Sequence, residues 1–276
     1  FFDEVGHMFI IRDEHEEGHI DCMVRRAIAR GVMPAHAVRL ACFNAARYYS
    51  LHEYGAIGPG YVANLTVLDD LKNCRVTRTY KEGQLVAIDG QCIAEDPAAH
   101  HTPMKLRSSI NVRWLEPGDF TMTMPEGSDG RLMRIIQVIP DQLVTRELRE
   151  QPPTLDHLIV ADPDRDLLKL AVIERHTASG NTGLGLVRGF KLKRGALAST
   201  VAHDAHNLIV VGTNDQDMLA AAIHLVKIRG GLCAVADGKV LADLPLPIAG
   251  LLSEEPGHVV VEQLRHLQKT AAGLGT

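Results

Sequence analysis

The stretch LIVVGTNDQDMLAAAIHLVKIRGGLCAV, residues 208–235, decides the fold of the second half of this chain. Its two ends are short apolar runs of the length and β-branched content that buried strands have. The segment between them places four apolar residues at helical spacing: Met218, Ala222, Leu225 and Val226. We predict a helix that begins at Thr213, with Gln216 completing a capping box, and that ends before Gly230-Gly231.

A strand, a helix and a second strand in this order predict a βαβ-like unit. Asp237-Gly238 follows the second strand and is typical of a tight hairpin turn. Three further apolar runs are predicted strands, at 134–139, 167–173 and 196–201. Residues 105–276 are therefore predicted to form one domain of mixed α/β character.

Residues 1–51 have the pattern of the closing part of a larger α/β fold. An apolar run at 8–11 gives way to charged residues, as a buried parallel strand does where it reaches a loop. Apolar spacing predicts an amphipathic helix from Ile20 to Ile28, and Pro34 can open a second helix. The apolar stripe of the second helix is Val38, Ala41, Cys42 and Ala45. Because no initiator Met precedes the strand, we expect the chain to be cut from a longer protein.

Residues 52–98 consist of short apolar runs separated by turn residues. The pairs Glu82-Gly83 and Asp89-Gly90 are typical of β-hairpins, so this segment predicts a small β-domain. A segment rich in Pro, Ala and His follows at 96–103 and predicts a linker. The chain therefore has three predicted parts: 1–51, 52–98 and 105–276.

The charge and composition of the chain narrow the classes of protein to which it can belong. A formal net charge of −5 offers no basic field for a phosphate backbone, which disfavours nucleic-acid binding. The apolar runs are much shorter than the roughly 20 residues of a membrane span, so we expect no membrane partner. Five scattered cysteines without a C-x-x-C pair favour a reducing, cytoplasmic location.

The densest polar cluster is HDAHN, residues 203–207, between two predicted strands. Two imidazoles and a carboxylate so close together can share a metal ion, or can form a His/Asp pair that moves protons near neutral pH. The alternative is a plain hairpin loop, in which Asp204 and Asn207 bond their own backbone and the histidines are only exposed. Spacing does not decide between these possibilities.

Two other clusters are candidates. Glu174-Arg175-His176 ends a predicted strand and precedes four glycines within residues 180–189. The glycines are typical of a turn that approaches a ligand closely or of a tightly packed turn. The charged residues could equally form a solvated ion-pair cluster. Near the start, Asp13 lies just past the end of the strand at 8–11. In α/β barrels the active site lies at the C-terminal ends of the strands, so Asp13 is a candidate metal ligand. A solvated helix start explains the same acidic residues without chemistry.

Four segments of the chain resemble the bacterial adenine deaminases of the metal-dependent amidohydrolase superfamily. They are residues 16–21 (EEGHID), 58–68 (GPGYVANLTVL), 195–207 (GALASTVAHDAHN) and 244–250 (LPLPIAG). The resemblance is collinear and extends along nearly the whole chain. A proline-glycine turn before a strand is common among amidohydrolases, whereas HDAHN together with LPLPIAG is specific.

This resemblance implies a fold that combines α/β and α+β parts: the tail of a (β/α)8 amidohydrolase barrel, a small β-domain and a C-terminal mixed α/β domain. It implies hydrolytic deamination of adenine to hypoxanthine and ammonia by a cytoplasmic homo-oligomer. A divalent metal, manganese or iron, is the implied cofactor, and a small purine is the implied substrate. The predicted site comprises His203, Asp204 and His206 as catalytic residues, Asn207 and Glu174 as substrate-binding residues and Asp13 as a metal ligand.

The chain also departs from the family pattern. The family's last barrel strand ends in Thr-Asp-Asp, whereas the matching place here is Ile11-Arg12-Asp13, and the family's other metal ligands lie on barrel strands that precede this segment. These departures leave an alternative, an inactive relative that serves as a purine-binding or oligomerisation module. Another purine in place of adenine is a further alternative, because the barrel loops that select the substrate are not in this sequence.

Overall fold

A computed structural model describes residues 18–94, 103–107, 109–127, 130–140, 142 and 144–276. They form two compact units that meet in sequence at residues 101 and 102, which we call the N-terminal unit and the C-terminal unit. The predicted strand at 8–11 and Asp13 lie outside the described residues. The predicted domain limits stay predictions.

The described part of the N-terminal unit begins with helices and continues with a sheet. Its helices are α1 (Ile20–Ala29), α2 (Pro34–Arg39), a π-helical turn (Leu40–Asn44) and α3 (Ala45–Tyr48). Its strands are β1 (Leu65–Leu68), β2 (Val76–Lys81), β3 (Gln84–Ile88) and β4 (Gln91–Cys92), and they pair in this order as an antiparallel meander. Positive φ angles at both residues of Glu82-Gly83 and of Asp89-Gly90 confirm the two predicted hairpin turns.

The predicted apolar stripe of the second helix is wrong in its second half. Cys42 and Ala45 are exposed, while Ala37 and Ala46 are buried. The reason is the π-helical turn at Leu40–Asn44, since an i to i+5 turn takes up one more residue than an α-turn and rotates the following residues around the helix axis. Pro34 opens α2 at its first turn, as predicted.

The C-terminal unit contains three helices and eleven strands among its described residues. The strands are β5 (Met122–Thr123), β6 (Met133–Val138), β7 (Thr145–Glu150), β8 (Thr154–Leu155), β9 (Leu158–Ile159), β10 (Leu168–Ile173), β11 (Thr182–Arg188), β12 (Ala196–Ser199), β13 (Leu208–Gly212), β14 (Gly231–Ala236) and β15 (Lys239–Pro245). The helices are α4 (Met104–Arg107), α5 (Asp215–Lys227) and α6 (Gly257–Gly273), and a 3-10 turn spans Pro117–Phe120. None of the described helices combines the length and apolar character that a membrane span requires.

Eight of these strands form one sheet, in the order β15-β14-β12-β13-β10-β11-β6-β7. The other three form a small sheet in the order β5-β9-β8. No closed barrel is present among the described residues, so the fold is mixed α/β with several sheets. All the predicted strands of this unit are present, although the one predicted at 196–201 ends at Ser199.

Helices cover both faces of the large sheet. Met218, Ala222 and Leu225 of α5 pack against one face, on residues such as Ile173 and Val210. Val260, Leu264 and Leu267 of α6 pack against the other face, on a set that comprises Leu168, Val211, Leu232 and Leu244. Because successive strand residues point to opposite faces, the two apolar sets alternate along β10, β13 and β14.

The predicted βαβ-like unit is present with one difference. Strands β13 and β14 each pair antiparallel with β12, so they run parallel to each other but are not neighbours. Helix α5 therefore crosses over β12, and Asp237-Gly238 makes the predicted hairpin turn into β15. The predicted capping box is wrong by one residue: Asn214 Oδ1 accepts from Asp217 N at 2.8 Å, whereas Thr213 Oγ1 donates to Gly195 O.

Candidate functional site

The predicted cluster lies in loop 200–207, which joins β12 to β13 as a hairpin. Ser199 pairs with Ile209, and on the other side of β13 Leu208 pairs with Ile173 at the end of β10. This register brings the segment that follows Ile173, Glu174-Arg175-His176, beside loop 200–207. The structure therefore unites two of the three clusters that the sequence suggested.

His203 and Asp204 form a pair at the surface of this loop. The Nδ1 of His203 contacts the Oδ1 of Asp204, and the two side chains are 50% and 92% exposed. A carboxylate accepts only, so this contact places a proton on Nδ1 and leaves Nε2 of a neutral ring as a proton acceptor that solvent reaches. The ring of His206 lies edge-on to that of His203, with centroids 5.6 Å apart.

The main chain of the loop is held from behind. Arg175 is only 1% exposed and its Nε donates to His206 O, while Nη2 donates to Thr200 O at 3.3 Å. His176 Nε2 lies 2.8 Å from Ala205 O. Since a carbonyl oxygen cannot donate, the proton in this bond belongs to His176. The loop is therefore fixed at its first residue and at two consecutive later carbonyls.

Glu174 shapes the turn that follows β10. Its carboxylate accepts from the main-chain N–H groups of His176, Thr177 and Ser179 and from the hydroxyls of Thr177 and Ser179. The N–H of Ser179 contributes most, and against an opposing effect of burial these bonds lower the pKa of Glu174 from 4.5 to about 2. A lowered pKa means that the bonds stabilise the turn above pH 4.5, and that this stabilisation is lost as the pH falls toward 2.

Thr200 and Arg175 link loop 200–207 to the LPLPIAG segment. Thr200 Oγ1 donates to Gly250 O at 2.7 Å, and Arg175 Nη2 donates to Ala249 O at 3.1 Å. A Cβ on Gly250, which has a φ of 73°, would lie 2.9 Å from Arg175 Nη1. The two segments that carry the most specific resemblance thus meet on Arg175.

Asn207 ends the loop with an acceptor that needs a donor. Its Oδ1 is buried and accepts no hydrogen bond from any residue that the structure describes. A buried acceptor without a donor costs about 1–3 kcal/mol.

A metal centre is not formed by the residues that the structure describes. No three His, Cys, Asp or Glu side chains among them come close enough to hold an ion. The pair of His203 and Asp204 does not meet that requirement even with His206 nearby. The predicted metal ligand, Asp13, is outside the described residues.

Sequence reasoning missed the role of Arg175. A solvated ion-pair cluster was one interpretation of Glu174-Arg175-His176, and it is wrong for Arg175, which is buried and donates to carbonyl groups. The signal was present: Ala171, Ile173 and Arg175 are alternate residues, and the first two face the core beneath α5. Continuing that period of two beyond the end of β10 places Arg175 inward.

Two families match the chain. Residues 142–276 match the adenine deaminase C-terminal domain, and residues 3–86 match the amidohydrolase family. Together these two matches account for most of both units.

Curated relatives match nearly the whole chain. An adenine deaminase from Dehalococcoides mccartyi is 45% identical over 95% of this chain and 45% of its own length. Adenine deaminases from Oleidesulfovibrio alaskensis and Halalkalibacterium halodurans are 42% and 40% identical, over 96% and 97% of this chain and 45% and 46% of their own lengths. The chain thus spans less than half the length of these relatives. These matches show that the chain is related along nearly its whole length to the adenine deaminases, and that residues 142–276 match the C-terminal domain of that family.

Proposed function

We propose that this chain takes part in the hydrolytic deamination of adenine, in which water displaces the amino group to give hypoxanthine and ammonia. The observation that supports this proposal most is the identity of 40–45% to proteins named adenine deaminase, over at least 95% of the chain. The geometry of loop 200–207 supports it as well, because this loop presents a His/Asp pair to solvent on a rigid sheet.

In this proposal, His203 moves the proton. The attacking water forms a bond from its oxygen to the ring carbon that bears the amino group, the π pair of the adjoining ring C=N bond moves to the ring nitrogen, and the water gives one proton to His203 Nε2. The imidazolium then donates that proton to the departing amino nitrogen. The pair on the ring nitrogen re-forms the C=N bond as the bond to the amino group breaks, which releases ammonia and the hydroxy tautomer of hypoxanthine. Asp204 keeps the ring in the required tautomer through its contact with Nδ1, and His206 flanks the ring.

The substrate contacts of this proposal centre on Asn207. Asn207 stays a predicted substrate ligand, and its buried Oδ1 would accept from the exocyclic amino group of adenine only after the loop had opened. Glu174 stays a predicted substrate ligand. Its two oxygens already accept five hydrogen bonds, and this favours a contribution through the shape of the 174–179 turn.

The match to the amidohydrolase family implies a metal centre that holds a divalent ion. The described residues do not form such a centre, and the proton transfers proposed above concern only the side chains of loop 200–207. We keep Asp13 as a proposed ligand and residues 1–51 as the proposed tail of a (β/α)8 barrel. The amidohydrolase match at 3–86 supports this assignment.

Location and assembly are also part of the proposal. Five cysteines without a disulfide support a reducing, cytoplasmic compartment. Self-association into a homo-oligomer stays a prediction, as does the lack of nucleic-acid and membrane partners.

The test is a chimaera in which this chain replaces the segment that it matches in the adenine deaminase of Dehalococcoides mccartyi. We expect the metal-loaded chimaera to convert adenine to hypoxanthine with release of one ammonia per turnover. Ammonia is measured by a coupled assay and hypoxanthine by chromatography. A folded chimaera that binds metal but releases no ammonia would overturn the proposal.

An assay of the purified chain alone distinguishes deamination from the alternative, in which the chain is a purine-binding or oligomerisation module. The purified chain is mixed with adenine and added Mn²⁺, and both ammonia and adenine binding are measured. Ammonia release excludes the module, whereas adenine binding without turnover, together with an inactive chimaera, favours it.

A further inference from the structure

Arg175 is a buried cation that donates hydrogen bonds to four main-chain carbonyls of the described residues. It donates through Nε to His206 O, through Nη1 to Ser109 O at 3.4 Å, and through Nη2 to Thr200 O and Ala249 O at 3.3 and 3.1 Å. No carboxylate of the described residues forms an ion pair with it. Burial lowers the pKa of Arg175, but an arginine stays protonated in proteins, so the charge is retained at a cost. Among the described residues, the convergence of carbonyl dipoles offsets that cost.

These carbonyls belong to three separate segments of the chain. Two are at the beginning and near the end of loop 200–207, one precedes β5 at Ser109, and one is in LPLPIAG at Ala249. A planar guanidinium has donors on three nitrogens in a fixed fork, and so it can hold three segments in one geometry. Lysine has a single nitrogen and cannot reproduce this arrangement.

The part of the loop that Arg175 holds has an unfavourable backbone. His206 has a φ of 49°, in the left-handed region that residues with a Cβ seldom adopt. Its N–H donates to Ala202 O, and its carbonyl accepts from Arg175. A left-handed histidine persists only where its surroundings determine the backbone, and Arg175 supplies that restraint at the carbonyl side.

His176 restrains Ala205, the residue that precedes His206 in the loop. Its Nε2–H donates to Ala205 O at 2.8 Å, while Asn111 Nδ2 donates to the carbonyl of His176 and Asn111 N donates to that of Arg175. Arg175 and His176 together form what we call the clamp of loop 200–207. The main chain of both residues is itself held by Asn111. Unlike Arg175, His176 is exposed, so its substitution leaves the core intact.

We infer that Arg175 and His176 are positioning residues that hold residues 203–206 in the arrangement that aims His203 at the substrate. This inference rests on the proposed function of loop 200–207. The two side chains act through the carbonyls of Ala205 and His206 and do not touch the reacting atoms. The sequence places them together, but only the register of β10 with β13 brings them behind the loop.

The variants are chosen so that folding does not obscure the result. His176→Met removes the donor to Ala205 O, whereas His176→Gln keeps an N–H that can reach it. Arg175→Lys keeps the charge but loses the fork. His258→Met, an exposed histidine at the start of α6, is the matched control. If Arg175→Lys does not fold, the exposed His176 variants still decide the question.

The first readout is amide hydrogen exchange in the full chain. We expect exchange in residues 202–207 to become about tenfold faster in His176→Met and Arg175→Lys, with β13 unchanged and with His176→Gln close to the parent. Unchanged exchange in residues 202–207 for both variants would overturn the inference.

The second readout is steady-state deamination by the chimaera. We expect His176→Met to lower kcat about tenfold to a hundredfold with KM nearly unchanged, and His176→Gln to restore most of kcat, because a small misplacement of a catalytic group costs this much. If exchange in residues 202–207 becomes faster but turnover does not fall, the proposed function is rejected and the inference about the clamp is supported. Lost turnover without a change in loop exchange would reject the clamp.

Discussion

The chimaera that carries His203→Ala is expected to deaminate adenine with a kcat about 100-fold to 10 000-fold below that of the parent chimaera, with KM changed little. The reason is that His203 is the group that takes the proton from the attacking water and returns it to the amino nitrogen. Its Nδ1 is bound to Asp204 and its ring is half exposed, so Nε2 is the atom that is free to act. Removal of the imidazole leaves water as the proton acceptor.

Two controls accompany this measurement. His258→Ala removes an exposed imidazole from the start of α6 and is expected to leave kcat unchanged. Asp204→Asn keeps the size of the side chain but accepts a hydrogen bond less strongly, and we expect a smaller loss than that of His203→Ala. If His203→Ala turned over adenine within about twofold of the parent, proton transfer by this residue would be excluded.

The largest loss of stability is expected from Gly231→Ala. Gly231 has a φ of 133°, and an added Cβ would lie 2.0 Å from Leu244 O and 3.1 Å from Leu246 N. Both contacts are with main chain, so β14 and β15 would have to separate. The unfavourable backbone costs about 1–3 kcal/mol and the overpacking about 1–3 kcal/mol. We therefore expect the free energy of unfolding to fall by about 2–6 kcal/mol.

Urea unfolding followed by far-ultraviolet circular dichroism measures this loss. Gly183→Ala is the matched control, because Gly183 is also in a strand of the large sheet but has no atom within 4 Å of its Cβ position. We expect this control to stay within about 1 kcal/mol of the parent. Equal midpoints for the two variants would show that the close packing of β14 on β15 does not restrict residue 231.

The fold of the C-terminal unit was predictable where the signals are local. The alternation of apolar residues in the strands and the spacing of Met218, Ala222 and Leu225 are properties of short segments, and the structure confirms them. The insertion of β12 between β13 and β14 was not predictable. It depends on pairing between segments distant in the chain, and no single stretch encodes such pairing.

One part of the candidate site was predictable from the sequence and another part was not. The cluster at 203–207 was visible because polar residues interrupt two apolar runs. The buried position of Arg175 was not expected, since arginine is almost never fully buried without a partner. Its partners are carbonyl groups from segments up to 74 residues away, and carbonyls carry no signature in a sequence.

The position of the product relative to loop 200–207 tests the central claim most directly. A crystal structure of the chimaera with bound hypoxanthine measures it. We predict that an imidazole nitrogen of His203 or His206 lies within about 3.2 Å of the purine, or reaches it through one water molecule. Hypoxanthine bound with every side chain of residues 203–207 outside that reach would contradict a chemical role for this loop.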